Sequence, residues 1–207
     1  MALAVTLTSL CDRTFPSFRV IVFDQTEEYD VIESRGLKAV LRVLEAYGRR
    51  TEVHKHLPRR GMGEQRQSLL DKSRAPHVPF IDDDIILEPY VIERMYTAFQ
   101  EECGFAGSAI IGLSYLDDVR PDEQDIEFRD SPVVPETVMP GTIEWDRHPP
   151  HNAGNLYHLR NRLGLTPKTQ RKYKVAQVGG CVMYELVHSR CERPAKLYGR
   201  GWSAAGG

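Results

Sequence analysis

Several features that would settle a protein's class at sight are scarce in this sequence. Cysteine is one: Cys11, Cys103, Cys181 and Cys191 are scattered without a Cys-x-x-Cys pair. Neither a zinc site nor a disulfide framework is indicated, and the expectation is thiols, mostly buried. Long hydrophobic runs are another, since no apolar stretch approaches the roughly 20 residues that a membrane helix needs. The start MALAVTLTSL lacks the basic residues that open a signal peptide. No transmembrane segment and a cytoplasmic location are therefore expected. Charge of one sign is missing too: the formal net charge is -2 and the isoelectric point about 6.4. Without a basic field the chain has no sequence-independent grip on phosphate backbones, so nucleic acid is not an expected partner. Internal repeats and low-complexity segments are also absent. What is present is 207 residues, 41% hydrophobic and 27% charged, enough for one substantial core and too mixed for disorder. A single domain over residues 1–207 is the expectation.

Helical and strand patterns take turns along the chain. Leu3, Leu7 and Leu10 fall at helical spacing, and PSF ends that helix before RVIVF, a short β-branched and aromatic run. Leu37, Val40, Leu41 and Leu44 form a second amphipathic face that stops near Gly48, and TEVHKHL follows as a strand. GMGEQRQSLLDKS reads as a glycine-bearing turn that opens a helix, and HVPFI as the next strand. Pro89 suits a first helical turn, Val91, Ile92, Met95, Tyr96 and Phe99 make an apolar stripe ended near Gly104, and GFAGSAIIGLSY reads as strand again. This alternation predicts an α/β layer fold with a largely parallel sheet, in which ligands gather at the carboxyl ends of strands.

One such end carries an unusual run: VPFIDDDIILEPY, with Asp82, Asp83 and Asp84 directly after the apolar strand. Adjacent like charges repel, so the run either lies in water on a turn, with one aspartate capping the next helix, or is neutralised by a bound cation. A hard cation such as Mg²⁺ or Mn²⁺ binds through one or two carboxylates plus substrate phosphate oxygens. Downstream, residues 116–150 are rich in acid and proline and read as a long excursion with one or two short strands. WDRHPPHNAGNLYH groups His148, His151 and His158 with Asp146, but its two prolines break any zinc-ligand spacing, and a loop is preferred, with structural hydrogen bonding or solvated surface as the alternative. Trp145 offers a flat aromatic face for stacking, although a core position explains it as well. NAGNLYHLRNRLGL reads as helix, KYKVAQVGGCVMY as strand followed by a tight glycine turn, and AKLYGRGWSAAGG as a frayed tail.

Taken together, LTSLCDRTFPSFRVIVFDQ, RRGMGEQRQSLL, VPFIDDDIILEP and VGGCVMYE resemble, over most of residues 3–185, the family 2 glycosyltransferases of GT-A fold. The resemblance implies a Rossmann-like half over residues 1–115 that binds a nucleotide diphosphate sugar, an acceptor-side half over 116–185, and an irregular tail over 186–207. It implies transfer of a sugar to the hydroxyl of a carbohydrate or other acceptor, with inversion, dependent on Mn²⁺ or Mg²⁺ through an Asp-x-Asp motif. Asp84 would ligate the metal together with Asp82, which would also contact the ribose or donor sugar; Asp83 would orient its neighbours or cap the helix. Asp24 and Gln25 fall near the nucleobase, where an amide can both donate and accept. Arg66 falls near the diphosphate, and Gly179 and Gly180 mark a strand end where backbone approaches the donor sugar.

Two departures accompany the resemblance. Members begin with a strand before the first helix, whereas this sequence starts inside the helix, so the first sheet strand is expected to be missing. Members also carry a Glu-Asp base motif late in the chain; LVHSRCERPAKLYGRGWSAAGG stands there instead, leaving Glu185 and Glu192 as base candidates. A shortened or altered form of a longer enzyme is expected. The alternatives are a nucleotide-sugar-binding module without catalysis and a metal-dependent nucleotidyltransferase.

Overall fold

A computed structural model describes residues 2–99, 105–108, 128–129, 139–143, 161, 164, 166, 172–173 and 180–186. The chain divides into two compact units, one of Met1–Val78, Asp83–Tyr90 and Glu185–Gly207, the other of Pro79–Asp82 and Val91–Tyr184.

The first unit runs α1 (Ala2–Ser9), β1 (Arg19–Asp24), a 3₁₀ turn (Val31–Glu33), α2 (Arg35–Ala46), β2 (Arg50–Lys55) and α3 (Met62–Lys72). α1 packs on α2, and Leu7, Leu10, Cys11, Leu37 and Leu44 are its buried apolar residues, with Leu44 fully enclosed at 0% exposure. Val40 and Leu41, which share the expected stripe, are half-buried. α2 ends as its sequence predicts: Gly48 takes φ 71°, its N–H donates to Glu45 O at 2.8 Å, and the Arg49 N–H donates to Leu44 O at 2.8 Å. This pair of reversed bonds satisfies carbonyls that the helix leaves open, in a conformation that favours glycine. Arg49 then secures the path from α1 to β1. Its guanidinium donates to Pro16 O at 2.7 Å and Arg13 O at 3.3 Å and lies 4.5 Å from the centre of the Phe18 ring.

β1 and β2 pair in parallel, from Arg19 opposite Arg50 to Asp24 opposite Lys55, with α2 as the crossover that parallel strands require. α3 opens at Gly61, whose φ of 99° lies in the region that favours glycine. The segment Asp83–Tyr90 returns to this unit, where Leu87 is buried, the Leu87 N–H donates to Ser9 Oγ at 3.2 Å and the Thr14 N–H donates to Pro89 O at 3.2 Å.

The second unit holds most of β3 (His77–Ile81), together with α4 (Val91–Phe99), β4 (Phe105–Gly107), β5 (Phe128–Arg129), β6 (Lys172–Tyr173) and β7 (Cys181–Glu185). β7 lies between β3 and β4 and pairs antiparallel with β4, Ala106 opposite Met183. β5 and β6 form a separate antiparallel pair. Ile92, Met95 and Phe99, at helical spacing on α4, are buried, as are Phe80, Ala106, Cys181, Val182 and Met183. Tyr184 sits edge-on to Phe80, with ring centres 6.1 Å apart, and the Cys181 thiol contacts Met95 Sδ at 3.9 Å. Burial pushes that thiol up from its ordinary pKa.

The α/β, GT-A-like alternation expected from the sequence is present through β4. Two local readings need correction. α4 starts at Val91, so Pro89 lies before the helix, and Asp83 is too far upstream to cap it. The late glycine turn precedes the strand that joins the sheet: Gly180 takes φ 70°, and β7 follows it. The frayed tail and the NAGNLYHLRNRLGL helix fall outside the described residues, apart from Asn161 and Gly164.

Candidate functional site

The carboxyl end of β1 is organised around two charges. Asp24 is 7% exposed. Its Oδ1 accepts the Thr26 N–H at 2.9 Å, and its Oδ2 accepts the Val31 N–H at 3.3 Å and Lys55 Nζ at 3.0 Å. Lys55 also donates to Tyr29 O at 2.7 Å and to Thr26 O, and pairs with Asp30 at 3.1 Å. Burial alone would raise the Asp24 carboxyl, but the hydrogen bonds from Thr26, Lys55 and Val31 outweigh it and hold it below the usual range. Lys55 moves the opposite way: partial desolvation would lower it, while Asp24 and Asp30 raise it above the usual lysine value. The chemical result is a clamp. Asp24 and Lys55 fix loop 25–30 onto the strand ends and spend their bonding capacity on backbone.

Gln25, the next residue, is half-buried, and its Nε2 lies 3.4 Å from His56 Nδ1. His56 is stacked on Phe23, with centres 4.6 Å apart and planes 24° from parallel, and its backbone N–H donates to Asp24 O at 2.8 Å. On the other side His56 Nε2 is 3.6 Å from Glu64 Oε1, which also accepts Ser68 Oγ at 3.1 Å. Gln65 Nε2 ties α3 to β1 by donating to Phe23 O at 3.3 Å. Arg66, one residue on, is half-buried on the same helix. One face of β2 presents Glu52 and His54 at the period-2 spacing of a strand, and His56 follows directly past its end; Glu52 is held below the usual carboxylate range first by its bond to His54.

The aspartate run follows β3. Asp82, Asp83 and Asp84 are all exposed, and the division between the units passes after Asp82. In the second unit the Asp82 N–H donates to Gly180 O at 2.8 Å. Asp83 and Asp84 begin the turn that returns to the first unit. Among the described residues no group of three or more His, Cys, Asp or Glu side chains gathers to hold a metal.

The expected site residues are thus placed unevenly. Asp24, Gln25 and Arg66 belong to elements joined in the first unit, which also contains Asp83 and Asp84; Asp82 and Gly180 adjoin each other in the second. Glu185 ends β7. Gly179, Trp145, His148, His151 and Glu192 lie outside the described residues. Sequence reasoning missed Lys55, His56 and Glu64. The available signal was VHKH, where alternation puts His54 and His56 on one face and Lys55 on the other.

A family model described as Glycosyl transferase family 2 matches residues 2–127, more than half of the chain. The chain belongs to that family. No curated protein and no solved structure matches it, and no described helix is long and apolar enough to cross a membrane.

Proposed function

We propose that the chain transfers a sugar from a nucleoside diphosphate sugar to an acceptor hydroxyl, with inversion at the anomeric carbon and dependence on a divalent cation. The observation that carries this reading is the exposed carboxylate run at the end of β3, within the segment that matches the family. Asp84 and Asp82 would hold Mn²⁺ or Mg²⁺, which supplies positive charge to the departing diphosphate when bound. Gln25, fixed beside the clamped loop, would meet the base, and the Asp24–Lys55 clamp would keep it in place without spending Asp24 on the ligand. Arg66 near the start of α3 would add charge at the diphosphate. Gly179 and Gly180 would admit the donor sugar, while Trp145, His148 and His151 would line the acceptor side. A carboxylate must take the acceptor proton as the hydroxyl attacks, and Glu185 or Glu192 would serve.

The test is product analysis. Purified chain with UDP- and GDP-sugars, Mn²⁺ and a panel of hydroxyl acceptors should release nucleoside diphosphate. Pyrophosphate from nucleoside triphosphates would mean nucleotidyl transfer instead, and nucleotide binding without either product would mean a binding module.

A further inference from the structure

The Gln25–His56–Glu64 chain has a property that its members lack singly. A neutral imidazole has one ring nitrogen that donates and one that accepts; an imidazolium donates from both. With Glu64 Oε1 facing Nε2 at 3.6 Å, the neutral ring carries its proton on Nε2 and turns an acceptor toward Gln25, 3.4 Å from Nε2 of the amide. The amide then holds its NH₂ against His56 and turns its carbonyl away. If His56 gains a proton on Nδ1, two donors face each other and the amide must rotate, presenting NH₂ outward. Beyond the ring, Glu64 Oε2 is buried without a hydrogen-bond partner among the described residues. Charged groups near His56 include His54 and Lys55 in the strand just before it and Asp24 at the end of β1. Asp24 and Lys55 are bound to each other and change charge only far from neutrality. Stacking on Phe23 fixes the ring plane, so rotation falls to the amide and not to the imidazole.

We propose that His56 is a positioning residue for Gln25, setting which edge of the amide meets the base and so selecting a nucleobase that presents an N–H donor, as the uracil imide does. This rests on the reading of Gln25 as the base contact. It predicts a preference that responds to acid: neutral His56 favours the uracil imide N–H, and protonated His56 favours cytosine, whose ring N3 accepts.

The experiment is calorimetric binding of UDP and CDP with Mn²⁺ between about pH 5 and about pH 8, the range in which imidazoles change charge. Taking the ratio of the two affinities cancels the titration of the diphosphate itself. The wild-type chain should prefer UDP by about tenfold at the upper end, the effect of setting donor against donor in a half-buried contact, and the preference should collapse toward the acid end. His56→Phe, which keeps the stack on Phe23, should show a pH-independent ratio. In parallel, the side-chain NH₂ resonances of Gln25 in the ligand-free protein should shift across the same range and stay fixed in His56→Phe. A constant ratio with both nucleotides bound overturns the role of His56 and leaves the donor reading standing. If neither nucleotide binds while the Gln25 resonances still titrate, the donor reading fails and base selection falls with it.

Discussion

Two sets of aspartates end strands in this protein and are treated in opposite ways. Asp24, the last residue of β1, is 7% exposed and saturated by two backbone N–H groups and Lys55. Asp82, Asp83 and Asp84, after β3, are exposed on a turn. A buried carboxylate persists only when donors replace its water, and those donors then fix it to one geometry. An exposed run keeps its water, and so carries its charge at little cost. The difference teaches that the same residue at the same topological position serves as a strut in one case and as a ligand candidate in the other, and that burial separates the two.

The largest loss is expected from the core of the first unit. Leu44→Ala, at a fully enclosed position between α1 and β2 in sequence, should cost about 2–5 kcal/mol in denaturant unfolding through the cavity it leaves. Asp24→Ala should follow, at about 1–3 kcal/mol, because it orphans the donors of Thr26, Val31 and Lys55. Asp84→Asn should change stability by less than about 0.5 kcal/mol, as expected at an exposed position without packing. If Asp24 and Asp84 proved equally costly in the same unfolding assay, the contrast would fail.

The pH response sharpens it. Asp24 has a depressed carboxyl in the folded chain, so it stabilises the fold fully above the ordinary carboxylate value of about 4 and loses that contribution as acid titrates the folded group. Lys55 is raised, so its contribution is complete below the ordinary lysine value of about 10.4 and is lost as base titrates the folded group. Stability measured from about pH 7 down to about pH 2 should fall less steeply in Asp24→Asn than in the wild type. Gly48 lies outside the contrast and serves as its control. Alanine there meets no atom within 4 Å, so Gly48→Ala should cost only the backbone penalty of about 1–2 kcal/mol for φ 71°, with nucleotide binding unchanged.

Much of the framework could be read from local pattern. The Leu37–Leu44 stripe, the β-branched RVIVF run and the glycines at 48 and 61 all specify their structures within a few residues. The middle position of β7 could not be read this way, because strand order depends on pairing partners far apart in sequence and VGGCVMY has only a short apolar run to offer. The start of α4 was misjudged because Pro89 suits a helix's first turn and equally the segment before it. At the candidate site, the aspartate run stood out by composition. The clamp did not, since Lys55 acts in part through the carbonyls of Thr26 and Tyr29, and backbone acceptors leave no mark in sequence.

The central claim is that the exposed aspartates belong to a cation-dependent nucleotide site. The most direct test is calorimetric binding of UDP and GDP to the purified chain with and without Mn²⁺, beside Asp84→Asn. The account predicts binding of at least one nucleotide that requires the metal and weakens about tenfold or more when the carboxylate is replaced, the loss of one charge-assisted contact. A folded wild-type chain that binds neither nucleotide, or an Asp84→Asn chain that binds as the wild type does, would contradict it.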